Sequence, residues 1–131
     1  MLAYSAPSGL RATALALVLA PTFAAPRTAG AQEPDRHSIG TFSIGRTEIT
    51  ILAFAAFANA TGLVTEAEQA GGGFEWAGGW TRRTGWTFRT PYGTPPASED
   101  EPAVHVTSAE ASAYCAWAGG RLPSAAEWRQ V

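Results

Sequence analysis

Between Gly71 and Pro102 the hydrophobic periodicity that would specify a helix or a strand disappears. The stretch runs Gly71-Gly72-Gly73-Phe74-Glu75-Trp76-Ala77-Gly78-Gly79-Trp80, then Arg82-Arg83, Trp86, Arg89 and Pro91-Tyr92-Gly93-Thr94-Pro95-Pro96. A long patternless segment inside a compact domain is either functional or packed by its own aromatic side chains. Trp76, Trp80 and Trp86 favour packing. The five Trp and fourteen Gly of the chain point the same way, because Trp supplies large rigid contact area and Gly supplies backbone freedom. A loop-heavy fold is expected.

The 131 residues suffice for one modest domain. With 46% hydrophobic and 15% charged residues and a net charge of −2, the composition is that of a globular protein and not of a nucleic-acid binder. Every basic residue is Arg. A single Cys excludes an internal disulfide and any zinc cluster built on several Cys of this chain.

Arg11 precedes the short apolar run Ala12 to Ala20, which Pro21 stops, and Ala29-Gly30-Ala31 leads to Gln32. A weakly basic start, a short apolar core and an Ala-x-Ala site predict a signal peptide over 1–31, cut after Ala31. The core is too short to span a bilayer, which takes about 20 residues. No Cys follows the site, so a lipid anchor is not expected. The exported part, periplasmic or secreted, would carry seven Arg and eleven acidic residues, a net charge of −4.

A polar leader over 32–40 is followed by Thr41 to Gly45, whose period-two alternation reads as a strand. Thr50 suits the N-cap of a helix over 51–60 that ends at Gly62, the natural left-handed stop. That helix is apolar nearly all round and so belongs in a core. Ala103 to Val106 reads as a buried strand. Thr107 and Glu110 then form a capping box for a helix over 108–118, and Ser124 and Glu127 form a second box whose helix has just reached Trp128. An isolated helix needs about 12–15 residues, so the second box predicts more helix, and more domain, beyond Val131.

Chemically suggestive residues are few. Cys115 shares a helix face with Tyr114 and Ala118, beside Trp117, and reads as a buried structural thiol, whereas a reactive one needs an electropositive, partly exposed setting. One thiolate does not hold Cu(I) selectively. His37 is expected in solvent, and His105 as a satisfied strand histidine. Glu66 and Glu68, two apart on a helix, face different ways and read as a solvated helix start. Trp80, Arg82, Trp86 and Arg89 are the one set that could stack on a ligand or grip a peptide carboxylate. The plainer role for these Arg residues is to cover aromatic surface.

Three separated segments resemble the formylglycine-generating enzyme, or sulfatase-modifying factor, family. They are Phe42-Ser43-Ile44 with Thr47-Glu48-Ile49-Thr50 and the run Phe57 to Glu68; Pro102 to Thr107 with Ala113 to Gly119; and Arg121-Leu122-Pro123-Ser124-Ala125-Ala126-Glu127-Trp128. Trp86 to Gly93 resembles the family's Trp and Pro-x-Gly loop. Ser108 stands where the family commonly has Trp, and the helix after Thr50 is more apolar than usual.

The resemblance implies an α+β protein with the irregular C-type-lectin-like fold of that family, here as the N-terminal half of a domain over 41–131. It implies that a complete member oxidises a cysteine of a sulfatase-like polypeptide to formylglycine, with copper and oxygen. The family's copper-binding cysteine pair and calcium-binding loops lie in its C-terminal half. For this chain alone, therefore, no catalytic, cofactor-binding or metal-binding residue is expected, and no copper or calcium. In some relatives the Cys matching Cys115 pairs with a C-terminal Cys. Sulfoxide synthesis with non-haem iron, a third chemistry of the family, would need a His-bearing N-terminal domain that residues 1–40 do not supply. The other readings are a non-catalytic C-type-lectin-like binding domain and a degraded gene fragment.

Overall fold

The computed structural model describes Ala3–Ser5 and residues 35–131. Two small antiparallel sheets and four helices are joined by long irregular segments, a mixed α and β architecture as expected. The first sheet has the order β1-β3-β2, with β1 at Ala3–Ser5, β2 at Arg36–Ile39 and β3 at Phe42–Gly45. Gly40, at φ 56°, makes the tight turn between β2 and β3. Part of the polar leader is therefore a strand: its residues are mostly exposed while β3 buries Phe42 and Ile44, and an outer strand needs no apolar alternation of its own. β1 lies within the segment assigned to export, whereas the cleavage site at Ala31 lies outside the described residues.

Helix α1, Ile51–Thr61, begins as its sequence predicts. The Thr50 hydroxyl accepts from the Ala53 amide at 3.2 Å, and Gly62 ends the helix at φ 70° while Leu63 N donates to Ala58 O. Its buried face is Ile51, Phe54, Phe57 and Ala58, and Leu52 is left in solvent. Phe54 is the hub of the core. Its ring meets Phe88 at 4.8 Å edge-on and Tyr114 of α3, Ser108–Trp117, at 5.7 Å in a stack, while Phe57 meets Tyr114 and Trp117 at 5.6 Å each. Such aromatic pairs add about 0.5–1.5 kcal/mol each beyond the area they bury.

Two expectations are overturned. The first part of the patternless stretch is a hairpin, β4 at Gly72–Trp76 and β5 at Trp80–Thr84, closed around Ala77-Gly78-Gly79. Gly72 and Gly73 erase the alternation from the sequence, yet each is required by a close neighbour: a Cβ on Gly72 would strike the Arg83 carbonyl, and one on Gly73 the His105 ring. The other correction concerns Ala103 to Val106, which is not a strand. Ala103 N donates to Ile49 O at 2.8 Å, but His105 then turns into the left-handed region at φ 58°, and the chain bends into the Thr107 cap.

Beyond the hairpin the segment is irregular, as expected, and packed by its own aromatics. Phe88 is completely buried, and Trp86 meets Tyr92 and His105, each at 5.5 Å. Two short helices complete the described fold, α2 at Glu66–Gln69 and α4 at Ala125–Trp128, both opened by capping boxes. No helix among the described residues is long and apolar enough to cross a membrane.

Candidate functional site

The β4–β5 hairpin leans over the starts of α2 and α3 and leaves a cleft of about 340 Å³. Gly72 and Gly73 form its floor, Phe74 and Trp80 its aromatic wall, and Arg82, Glu66 and Thr107 its polar rim. Phe74 and Trp80 are 49% and 70% exposed, an uncommon exposure for such large side chains. Arg82 stands directly across from Phe74 in the hairpin register. Its guanidinium lies 4.9 Å from that ring and donates to the Ala70 carbonyl at 2.9 Å. His105 closes the inner end, its Nε2 2.9 Å from the Pro91 carbonyl oxygen. It is satisfied, as expected, though from a bend and not a strand.

The four residues singled out from the sequence therefore divide. Trp80 and Arg82 line the cleft. Trp86 lies behind it, its ring on His105. Arg89 is committed to structure: it pairs with Glu68 at 3.3 Å, donates to Asn59 Oδ1 at 3.0 Å and covers the Phe88 ring at 4.6 Å. Phe74 was missed. Only the hairpin register, hidden by the glycines, brings it beside Arg82.

Glu66 and Glu68 have different surroundings, as their spacing implies. Glu68 closes the α2 capping box by accepting from Thr65 N and its hydroxyl, both at 2.8 Å. Glu110 has a role no local pattern announces. One oxygen caps Thr107 N at 2.7 Å and the other accepts from Glu66 N at 2.7 Å, so a single carboxylate ties the start of α2 to the start of α3. Glu127 is similarly double-used, capping Ser124 N at 2.7 Å and gripping Arg121 through both of its oxygens. Trp128, by contrast, is exposed.

Cys115 is 2% exposed, and burial pushes its thiol above the ordinary value. It borders a second, apolar cavity of about 220 Å³ with Ile49, Phe54, Val106 and Leu122. No group of three His, Cys, Asp or Glu side chains gathers among the described residues. A lone thiol held protonated by an apolar setting does not match the paired soft ligands that Cu(I) requires.

The chain matches the sulfatase-modifying factor enzyme 1-like domain over residues 7–130. It belongs to the sulfatase-modifying factor family. Among curated relatives in this family's range, the formylglycine-generating enzyme of Bos taurus is 33% identical over 114 residues, covering 71% of this chain and 30% of that protein. The formylglycine-generating enzyme of Streptomyces coelicolor is 36% identical over 107 residues, covering 66% and 34%. The hercynine oxygenase of Mycolicibacterium thermoresistibile is 37% identical over 113 residues, covering 71% and 22%. The chain thus spans about a third or less of the length of these relatives. Family membership accounts for the motif order around α1, α3 and α4, and leaves the reaction open between differently named enzymes.

Proposed function

We propose that this chain is the N-terminal portion of an exported formylglycine-generating-type domain with the C-type-lectin-like fold of that family, whose complete form oxidises a cysteine of a sulfatase-like polypeptide with copper and oxygen. The observation that carries the reading is the match over 107–114 residues to formylglycine-generating enzymes at 33–36% identity. Taken alone, residues 1–131 are inactive in that oxidation, because Cys115 is single and buried. The test is incubation with Cu(I), oxygen and a capped cysteine peptide of sulfatase sequence, followed by mass spectrometry. The expected result is an unchanged peptide; conversion that Cys115→Ser abolishes overturns the statement about this chain, whereas conversion that survives the substitution is background copper chemistry. The family reading is tested separately, by the same assay on the full open reading frame of the source gene.

Export rests on the apolar run Ala12 to Ala20 and on Ala29-Gly30-Ala31. Edman sequencing of secreted product should begin at Gln32. A mature protein retaining Met1 would sink this part and keep β1 in its sheet.

A second reading, a non-catalytic binding domain, is favoured by the hairpin cleft, whose exposed aromatic wall and fixed guanidinium are the ingredients of a recognition site. Fold alone does not choose between the two.

A further inference from the structure

We infer that the hairpin cleft binds an extended polypeptide segment through an Asp or Glu side chain flanked by apolar residues, with Arg82 receiving the carboxylate and Phe74 and Trp80 the apolar neighbours. Among the described residues, Arg82 is the one arginine that lines the cleft. Arg46, Arg83, Arg89 and Arg121 each hold a carboxylate of this chain, Asp35, Glu75, Glu68 and Glu127 respectively. Arg82 lines the cleft and has no carboxylate partner among the described residues. It spends one of its five N–H donors on Ala70 O and rests its flat face on Phe74. A guanidinium oriented in this way, with donors left over, is arranged for two-pronged recognition of a carboxylate.

The backbone donors at the starts of α2 and α3 are not rivals for the anion, since Glu110 already takes Glu66 N and Thr107 N. Glu66 stands on the same rim. Its negative charge weighs against a doubly charged phosphate and leaves room for a single carboxylate with a neutral or cationic group beside it.

The occupant is longer than the cleft. Trp76 packs edge-on against Trp80 at 5.4 Å and is itself 64% exposed, so the aromatic wall continues along the hairpin toward its turn. Among the described residues no other helix or strand packs on β5, whose five residues are all exposed; the irregular segment approaches it only at its end, where Gly93 lies near the Thr84 carbonyl. An extended chain beside an open strand edge, with alternate side chains in pockets, is an established mode of peptide recognition. The site is independent of whether the complete protein oxidises cysteine.

The probe is a dye-labelled, capped Ala-Phe-Asp-Leu-Ala peptide, compared with the same peptide carrying Asn for Asp, by fluorescence anisotropy on the unaltered 131-residue chain. The Asp peptide should bind about tenfold more tightly, the factor expected of one hydrogen-bonded charge pair, and the preference should shrink with added salt. Arg82→Gln should erase the preference while Arg83→Gln keeps it. Equal affinity of the two peptides for the unaltered chain, binding of neither, or stronger binding of inorganic phosphate each overturns the inference. The comparison of the two peptides needs no variant, so misfolding of a mutant cannot mask the outcome.

Discussion

The imidazole of His105 fills the space that a side chain on Gly73 would need: a Cβ there would fall 2.6 Å from His105 Cγ. This contact makes the cleft floor and the bend before α3 one unit. The ring is held from three sides, by the Pro91 carbonyl at its Nε2, by Trp86 and by the hairpin backbone at Gly73.

Gly73→Ala should therefore destabilise the fold by about 1–3 kcal/mol, the usual cost of overpacking. The methyl group meets the stem of the ring as well as its edge, so a simple rotation does not relieve it. The melting temperature of the variant checks this. Gly79→Ala, where nothing lies within 4 Å, serves as the control and should melt close to the parent.

Phe88→Ala should cost about 3–5 kcal/mol, because the ring is wholly buried and packs edge-on against Phe54. Denaturant titration followed by Trp fluorescence gives the loss directly. A cost below about 1 kcal/mol would mean that the irregular segment is not anchored through this residue.

Glu110→Gln should be milder than Glu110→Ala. The amide oxygen of Gln can still serve one of the two backbone donors, Thr107 N or Glu66 N, whereas Ala abandons both. An unsatisfied donor costs about 1–3 kcal/mol when shielded from water, and both sites are partly open, so the lower end applies. Hydrogen exchange at the Glu66 and Thr107 amides should accelerate together in the Ala variant. Independent behaviour would contradict a shared carboxylate.

Much of this organisation was legible wherever the physics is local. Thr50, Gly62, Thr107 with Glu110 and Ser124 with Glu127 act within one helical turn, and each stands in the structure as its spacing predicts. The hairpin was illegible because Gly72 and Gly73 are there for a distant partner, so that necessity across the fold removed the alternation a strand normally shows. His105 misled for the opposite reason: flanked by Val104 and Val106 it has the local pattern of a strand, and its turn is set by Gly73, Trp86 and Pro91. In the candidate site, Trp80 and Arg82 were singled out by residue type within the patternless segment, Phe74 needed the register, and Arg89 takes the plainer of its two expected roles, covering the Phe88 ring, with partners Asn59 and Glu68 that are remote in sequence.

Cys115 should react slowly with alkylating reagents at pH 8. Burial raises its thiol, so the thiolate fraction is small, and reagent must also enter the apolar cavity behind Val106 and Leu122. The sign for stability follows. The unfolded chain loses this proton near 9.0 while the folded one keeps it, so the fold weakens as pH rises through and beyond that value. Iodoacetamide labelling followed by mass spectrometry should show rapid modification only once denaturant is added. Rapid labelling of the native chain would place the thiol at the surface.

Glu127 provides the acid-side counterpart. Its carboxyl is pulled down to about 2, first by the Arg121 hydrogen bonds and then by the Ser124 amide and hydroxyl that it caps. A carboxyl with a lowered folded value stabilises fully above its unfolded value of 4.5, and the contribution disappears as pH falls through about 2. The start of α4 should thus stay capped at pH 3, where an ordinary carboxyl would be protonated. Both partners are at the surface, so the effect is local and screened by salt, and a large change in global stability is not expected. Arg121→Gln should move the titration upward but not fully to the ordinary value, because the Ser124 donors remain. Carboxyl carbon shifts followed by NMR from pH 5 to pH 1.5 resolve the two contributions. If Arg121→Gln leaves the Glu127 midpoint unmoved, the Ser124 cap alone holds the charge and the Arg121 pair is incidental to it.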